Sequence, residues 1–323
     1  MTGKISWMPT RRQFVTGAGA ALGAGLLAGP ARAQSTTKTI TTEFGSYDVP
    51  TDPQRVVLMG NRIDLELMLA LGIRPVAMGI EFNFINSHAD TVAPWVPFDP
   101  QGVETFPAFD VTAEQILSYE PDLIVSRLNA STWNQPRTDA LRNVAPFIPT
   151  GILPWREELA RIAGWLGREA QQAEALARYE KLCDEVRGRH EAKLATAHVA
   201  FGSIEPPQVW LTDLTADAPA AQALADLGGQ AFMLPPDMAT YEGGWTAISP
   251  ENLGLMSEAD ALLFWGPTPE VFEEFHSSTP LWDRLPAVEA GLGFVSENNI
   301  GSGSMYTVME GLRLWDKVYG AMA

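Results

Sequence analysis

The stretch RVVLMGNRIDLELMLALGIRPVAMG, residues 55–79, decides the fold. It opens with a continuous apolar run from Arg55 to Met59, which is typical of a strand buried on both faces of a parallel sheet. An apolar helix over Ile63–Leu71 follows and closes at Gly72, and a second strand is predicted over Pro75–Gly79. A strand, a helix and a second strand in this order form the unit from which parallel sheets are built.

The same alternation continues along the chain on both sides of one long helix. Before that helix we predict a hairpin and further elements at 39–49, 111–119, 122–125, 137–144 and 147–148. After it we predict strands at 199–204, 209–212, 232–234, 261–265 and 293–295, and helices at 218–227 and 305–319. Two separate β/α halves are therefore expected.

The middle of the chain predicts two helices without strands. Trp155–Leu166 carries one apolar face, and from Glu169 to about Leu194 apolar residues recur at spacings of three and four. A helix of that length spans roughly 35–40 Å, which is longer than one small lobe needs. The predicted fold class is α/β, with two Rossmann-like lobes of mainly parallel sheets joined by one long rigid helix. The predicted domains are a signal at 1–33, lobes at 34–152 and 197–323, and a helical linker at 153–196.

The first 33 residues have the features of an export signal. Arg11 and Arg12 precede an apolar, Gly- and Ala-rich run that is too short for a comfortable membrane span. The run ends in Ala31-Arg32-Ala33, whose small residues suit a signal peptidase, so we expect cleavage after Ala33. The segment resembles a twin-arginine signal read by the Tat export machinery. A soluble, periplasmic mature protein is predicted, against the alternative of a cytoplasmic protein with a basic N-terminus.

Composition excludes several classes of function. The chain has 323 residues and a formal net charge of −17, and removing the basic signal makes the mature protein more acidic still. Nucleic-acid binding needs clustered Lys and Arg, so we expect no nucleic-acid partner. The single cysteine, Cys183, excludes an internal disulfide and a cysteine-based metal cluster. We expect a monomer without a cofactor or a protein-bound metal.

An enzyme should show a catalytic constellation, and the sequence offers none of the common ones. It contains no phosphate-binding Gly-rich loop of the usual kinds, no nucleophile elbow and no pair of histidines at metal spacing. The loop Gly301–Ser304 precedes a helix and could offer backbone N–H groups to an anion, although a plain tight turn is its commoner meaning. A periplasmic enzyme such as a hydrolase stays open as an alternative.

Candidate ligand-binding residues lie at the ends of predicted strands or in loops, because ligands of open α/β sheets bind beyond the carboxyl ends of the strands. The arginines among them could instead form ordinary salt bridges, and some of the tryptophans could be core. The candidates are Asn61, Arg62, Phe82, Phe84, Arg127, Trp210, Tyr241, Trp245, Trp265 and Ser302.

Four stretches of the sequence resemble a known family. Residues 55–79 and VTAEQILSYEPDLIVSR at 111–127 look like the opening elements of the periplasmic binding proteins for iron siderophores, cobalamin and haem. TPLWDRLPAVEAGLGFV at 279–295 and GSMYTVMEGLRLWDKV at 303–318 resemble the ferric hydroxamate branch. The chain departs from that branch at Ile300–Ser302, where the branch has aromatic residues, and at Phe106, near which the branch has an arginine that faces the electronegative iron-chelate centre. Arg62 or Arg127 is expected to take over the role of that arginine.

The resemblance implies a ligand and partner proteins. It implies a class III-like binding protein that captures a ferric siderophore, of hydroxamate or mixed hydroxamate-carboxylate type, and delivers it to an ABC permease and its ATPase. Iron would be held by the siderophore alone. Cobalamin or haem is the alternative cargo, and haem would want an axial ligand such as Tyr241. The implied permease-docking residues are acids on each lobe, namely Asp139, Glu270, Glu273 and Glu274.

Overall fold

The structure is a computed structural model that describes residues 36–42, 45–60, 62–80, 92–108, 110–127, 135–151, 153–235, 238, 244–296 and 298–323. Contacts divide the chain into two units, Met1–Thr36 and Thr37–Ala323, and everything below concerns the second unit. None of the helices found in the described ranges is both long enough and apolar enough to cross a membrane.

The first lobe is built on a five-stranded parallel sheet. After the hairpin of β1 (Thr37–Thr42) and β2 (Gly45–Pro50), the sheet strands follow in the order β5-β4-β3-β6-β7. The strands are β3 (Val56–Leu58), β4 (Ala77–Ile80), β5 (Glu104–Pro107), β6 (Leu123–Arg127) and β7 (Phe147–Thr150), and every pairing is parallel. The helices of this lobe are α1 (Arg62–Ala70), α2 (Ala113–Ser118) and α3 (Gln135–Arg142).

The second lobe is built on a mixed sheet with the order β11-β9-β8-β12-β13, and β10 pairs with β8. The strands are β8 (His198–Glu205), β9 (Gln208–Thr212), β10 (Gln230–Ala231), β11 (Trp245–Ile248), β12 (Ala261–Trp265) and β13 (Gly293–Ser296). Strands β8, β10, β12 and β13 are parallel, and β9 and β11 run antiparallel to their neighbours. Its helices are α6 (Pro219–Leu227), α7 (Pro269–Ser278), α8 (Pro286–Glu289) and α9 (Met305–Ala321), with 3-10 turns at Pro250–Met256 and Trp282–Arg284.

Two helices connect the sheets: α4 (Trp155–Leu166) and α5 (Glu169–Leu194), and the predicted single long helix is interrupted near its end, because the backbone of His190 is not helical (φ −126°, ψ 16°). Polar contacts fasten α5 to the second lobe. Asp226 of α6 accepts hydrogen bonds from Tyr179 of α5 and from Arg156 of α4, the latter at 2.8 Å. Near its end, α5 donates from Arg189 to Asp316 of α9 at 2.9 Å. These contacts hold the connecting helix as a rigid part of the second lobe.

The hydrophobic core is layered. One face of each sheet packs into its own small cluster, around Phe147 in the first lobe and around Phe264 in the second. The opposite faces share one continuous cluster that runs from Leu58 through Tyr179 to Trp315. Because close-packed interiors resist deformation, a core that passes through α5 couples the lobes mechanically.

The predicted fold class is confirmed, and most of the predicted elements have a counterpart in the structure. The sequence analysis did not predict β5, β11, α7 or the four-residue α8. Strand β5 is short and ends in proline, β11 pairs with a neighbour only at the sheet edge, and α7 begins at Pro269 directly after a buried strand. The strand predicted at 232–234 lies two residues earlier, at Gln230–Ala231.

Candidate functional site

Helix α1 carries three buried charged side chains that bind three different parts of the fold. Arg62 is 7% exposed, and Asp64 and Glu66 are fully buried. Burying a charge costs free energy unless it is paired or well hydrogen-bonded. The partners of these three residues therefore show what the helix holds in place.

Arg62 binds the loop Asn299–Ser304, which leads from β13 into α9. Its Nη1 donates to the carbonyl oxygen of Asn299 and, at 3.1 Å, to that of Ser302. The guanidinium also lies over the ring of Trp95, 5.4 Å from its centroid. Arg62 thus joins the first lobe to a loop of the second, and a direct ligand contact by this residue stays a prediction.

Glu66 caps the N-terminus of α9 from the other lobe. Its Oε2 accepts hydrogen bonds from the backbone N–H groups of Ser304 and Thr307, both at 2.9 Å, and its Oε1 accepts from the Thr307 hydroxyl. Burial raises the pKa of Glu66, whereas the bonds from Thr307 and the charge of Arg62 act in the opposite direction. The carboxylate accepts hydrogen bonds from N–H groups that have no partner inside the helix. Its negative charge also interacts favourably with the positive end of the helix dipole.

Asp64 fixes the carboxyl ends of the two neighbouring strands β6 and β7. Its Oδ2 accepts from the backbone N–H of Arg127 at 3.2 Å, and its Oδ1 accepts from the hydroxyl of Thr150. Since Thr150 is fully buried, this bond replaces the water that its hydroxyl loses on folding. Asp64 thereby sets the position from which the Arg127 side chain extends.

The first cavity, called the aromatic cavity, lies at the carboxyl ends of β8 and β12. It has a volume of about 210 Å³ and is lined by Ser203, Glu205, Trp245, Trp265, Asn299 and Ser302, among others. Strand register places Ser203 beside Trp265 and opposite Trp210, so these side chains share one face of the sheet. The rings of Trp245 and Trp265 meet edge to face with centroids 6.1 Å apart. They form an apolar wall with polar groups at its rim.

The aromatic cavity depends on a close approach at Gly301. A Cβ atom at this position would lie 2.5 Å from Nε1 of Trp265, closer than real Cβ contacts allow. The amide N–H of Gly301 donates to Oδ1 of Asn299 at 2.8 Å, which closes the turn. The loop can therefore pack directly on the tryptophan only because a glycine stands here.

The second cavity, called the polar cavity, lies on the other side of the same loop and between the lobes. It also has a volume of about 210 Å³, and its polar lining is Arg127, Glu158, Asp217, Gln222, Ser302 and Ser304. Burial raises the pKa of Asp217, and the charge of Arg127 and the amide of Gln222 partly offset this. Nε of Arg127 makes no hydrogen bond. Glu158 is 1% exposed and pairs with Arg161 at 2.7 Å.

The structure brings together some of the candidates predicted from sequence. Trp245, Trp265 and Ser302 line the aromatic cavity, and Ser302 and Arg127 line the polar cavity. Trp210 lies on the same sheet face without lining either cavity. The candidates that lie outside the described residues are Asn61, Phe82, Phe84 and Tyr241.

The predicted docking acids lie on two exposed helices. Asp139 of α3 is 53% exposed and pairs with Arg142 at 3.4 Å. Glu270, Glu273 and Glu274 are exposed on α7. Hydrogen bonds from its own backbone and from Thr268 lower the pKa of Glu270, which keeps this carboxylate charged.

Sequence reasoning missed Asp64, Glu66 and Glu205. The signal for the first two was present in the sequence IDLEL at 63–67. Two acids that are two positions apart lie on different faces of a helix, so Asp64 and Glu66 of this otherwise apolar helix cannot both face water. Glu205 gave no such signal, since it follows a buried strand as an ordinary turn residue would. Only the folded sheet brings it to the cavity that Trp245 and Trp265 also line.

The residues of the aromatic cavity are suited to binding a ligand. The aromatic cavity presents two indole rings, a hydroxyl-bearing loop and a carboxylate, which suit a bulky ligand with an apolar surface and a few polar groups. In the part of the chain that the structure describes, no group of three or more His, Cys, Asp or Glu side chains is placed to hold a metal ion.

Two sheets that flank a shared interlobe cavity across a rigid helix are the architecture of a two-lobed binding protein. A family model described as "Periplasmic binding protein" matches residues 64–292, more than two thirds of the chain. The chain belongs to this family. A search of the curated proteins finds no significant match.

Solved structures with the same fold cover nearly the whole chain. A periplasmic solute binding protein from Mycobacterium smegmatis is 19% identical, with 88% of this chain and 98% of that chain covered at a TM-score of 0.68. A FhuD fold-family component of a ferrichrome ABC transporter from Bacillus subtilis is 18% identical, with 86% and 98% covered at a TM-score of 0.70. A siderophore periplasmic binding protein from Thermobifida fusca is 19% identical, with 84% and 98% covered at a TM-score of 0.62. At these identities the likeness establishes the fold.

Proposed function

We propose that this chain is the solute-binding protein of an ABC importer, which captures a ferric siderophore of hydroxamate or mixed hydroxamate-carboxylate type. The observation that carries this proposal is the aromatic cavity at the carboxyl ends of β8 and β12, inside a periplasmic-binding-protein fold. Two of the structural neighbours named above bind or transport siderophores according to their descriptions, which supports the same class of cargo. The protein carries its ligand without transforming it.

In this proposal the two cavities divide the work of binding. The rings of Trp245 and Trp265 pack on the organic shell of the chelate, and Ser302 hydrogen-bonds its polar edge. Arg127 reaches the ligand from the first lobe, and Arg62 acts by holding the loop. Trp210, Asn61, Phe82, Phe84 and Tyr241 complete the predicted contacts. Iron is coordinated by the siderophore alone, so the protein supplies no metal ligand.

A thermal-shift screen tests the class of cargo. Ferric hydroxamates, haemin and cobalamin are each added to the purified mature protein, because a ligand that binds only the folded state stabilises it by mass action. At a hundred times Kd the stabilisation is about 2.7 kcal/mol. We expect a ferric hydroxamate to raise the melting temperature. A rise with haemin or cobalamin alone would assign the cargo to that class instead.

Export by the twin-arginine pathway is part of the proposal, with delivery to the periplasm and cleavage after Ala33. Because the signal is read by a receptor, Arg11→Lys combined with Arg12→Lys is expected to leave full-length precursor in the cytoplasm. Lys4→Arg is the matched control and should be processed normally. Cell fractionation and the N-terminal sequence of the product measure the outcome. Normal processing of the double variant would contradict the twin-arginine assignment.

Docking to the permease is proposed to use one acidic anchor on each lobe. Asp139 on α3 is the anchor of the first lobe, and Glu270, Glu273 and Glu274 on α7 form that of the second. A monomeric carrier needs both contacts at once for its ligand to lie over the transport pathway. Charges at the rim of an interface act through steering and orientation, so these acids would set how the carrier docks.

A further inference from the structure

Glu205 is the charged residue of the aromatic cavity. It is the last residue of β8 and lines the cavity together with Trp245 and Trp265. The hydroxyl of Ser203, a residue only 6% exposed, donates to Oε1 of Glu205 at 3.2 Å. A buried donor on the cavity wall thus positions the exposed carboxylate at the cavity rim.

Among the described residues that line the aromatic cavity, Glu205 is the only charged one, and Arg62, the arginine that binds the loop of this cavity, is buried. Arg62 donates to the carbonyls of Asn299 and Ser302. Arg127 lines the polar cavity, where Glu158 and Asp217 also lie. Glu158 pairs with Arg161 and the charge of Arg127 acts on Asp217, so the acids of the polar cavity have cationic neighbours, whereas no Lys or Arg is among the described residues that line the aromatic cavity with Glu205. After residue 35, the positions outside the described residues contain no Lys or Arg in sequence.

The aromatic wall and the carboxylate favour the same sign of charge on a ligand, namely a positive charge. The face of an indole ring attracts cations, and an aromatic wall beside a carboxylate is a common arrangement for binding an ammonium group. The Glu205 carboxylate attracts a cationic group of a ligand and repels an anionic one. Both recognition elements of the cavity point to a ligand with a cationic rim.

We infer that Glu205 selects, within the proposed ferric siderophore class, chelates whose rim carries a positive charge. Three hydroxamates, each with one negative charge, balance Fe³⁺ and give a neutral core to which one ammonium group adds a net charge of +1. Three catecholates leave the ferric complex at −3, and free carboxylates also make a chelate anionic. The inference rests on the proposed function and narrows it to hydroxamate chelates with an amine.

The test uses three chelates that share one ferric trihydroxamate core. They are ferrioxamine B with its free ammonium group, its N-acetylated neutral form and its N-succinylated anionic form. Dissociation constants follow from quenching of tryptophan emission. The wild-type protein is expected to bind the ammonium form roughly tenfold tighter than the acetylated form, as a hydrogen bond to a charged group predicts. The succinylated form should bind more weakly than both.

Glu205→Gln removes the charge and keeps the shape of the side chain. In this variant we expect the ammonium form to lose roughly tenfold in affinity and the succinylated form to gain, so that the order of the three chelates collapses. Glu258→Gln is the matched control, because Glu258 is exposed near the amino end of β12, at the far end of the same sheet. It should keep the wild-type order.

The outcomes separate this inference from the function on which it rests. Equal affinities of the wild-type protein for all three chelates, or the same order in Glu205→Gln as in the wild type, would overturn the role of Glu205 and leave the carrier function intact. Tighter binding of the succinylated form would overturn the predicted sign. If none of the three chelates bound, both the inference and the hydroxamate cargo would be contradicted.

Discussion

A variant that carries Asp139→Lys, Glu273→Lys and Glu274→Lys is expected to bind its ferric siderophore normally and to support no uptake in cells. All three acids are exposed on helices away from the two cavities, so reversing them should leave the fold and ligand affinity intact. The ion pair of Asp139 with Arg142 is a surface pair, which is worth about 0–1 kcal/mol. The new lysines would instead face a permease surface that is complementary to acids, and the repulsion between like charges would prevent productive docking.

The matched control reverses three acids on the connecting helix, Glu174→Lys, Glu180→Lys and Glu191→Lys, all of which are exposed. It makes the same change in net charge without touching α3 or α7. Uptake of radiolabelled iron by cells with equal amounts of each variant in the periplasm measures the effect. Full uptake with the docking variant, or an equal loss with the control, would remove these acids from the proposed docking surface.

Replacing Glu66 is expected to have the largest effect on stability. Glu66→Ala leaves two backbone N–H groups and one hydroxyl buried without their acceptor and removes the cap of α9. A buried donor that loses its acceptor costs about 1–3 kcal/mol, and three donors lose theirs here, so the free energy of unfolding should fall by at least about 3 kcal/mol. Urea denaturation at pH 7 measures it. A loss below about 1 kcal/mol would show that the carboxylate does not hold the helix.

Glu66→Gln separates the charge of this residue from its hydrogen bonds. The pKa of Glu66 in the folded protein is raised above its ordinary value of 4.5, so folding favours the protonated form. The stability that this shift contributes is fully present below pH 4.5 and is lost as the pH rises through the raised pKa. The stability of Glu66→Gln relative to the wild type should therefore increase with pH across that window. A constant difference would contradict the direction of the shift.

The repeating apolar pattern was sufficient to predict the architecture. Buried parallel strands such as Ala261–Trp265 and a long helix at Glu169–Leu194 have strong local signals, and the structure has both at those positions. Edge strands such as Trp245–Ile248 are defined by their neighbours more than by their own sequence. Their local pattern is therefore too weak to predict.

The candidate site was predictable only in part, for a related reason. Trp245 and Trp265 were identified because aromatic residues at strand ends commonly meet ligands. The roles of Arg62, Glu66 and Glu205 depend on which residues of the other lobe or of a neighbouring strand they meet. Contacts between residues more than 200 positions apart, such as that between Glu66 and Thr307, leave no periodic trace in the sequence.

The measurement that tests the central claim most directly is a titration of the mature protein with a ferric trihydroxamate, followed by tryptophan emission. Because Trp245 lines the aromatic cavity and a ferric chelate absorbs strongly, we predict saturable quenching at one chelate per protein, with weaker binding and a smaller amplitude in Trp245→Phe. Saturable quenching by cobalamin or haemin, together with no response to any ferric chelate, would contradict the account.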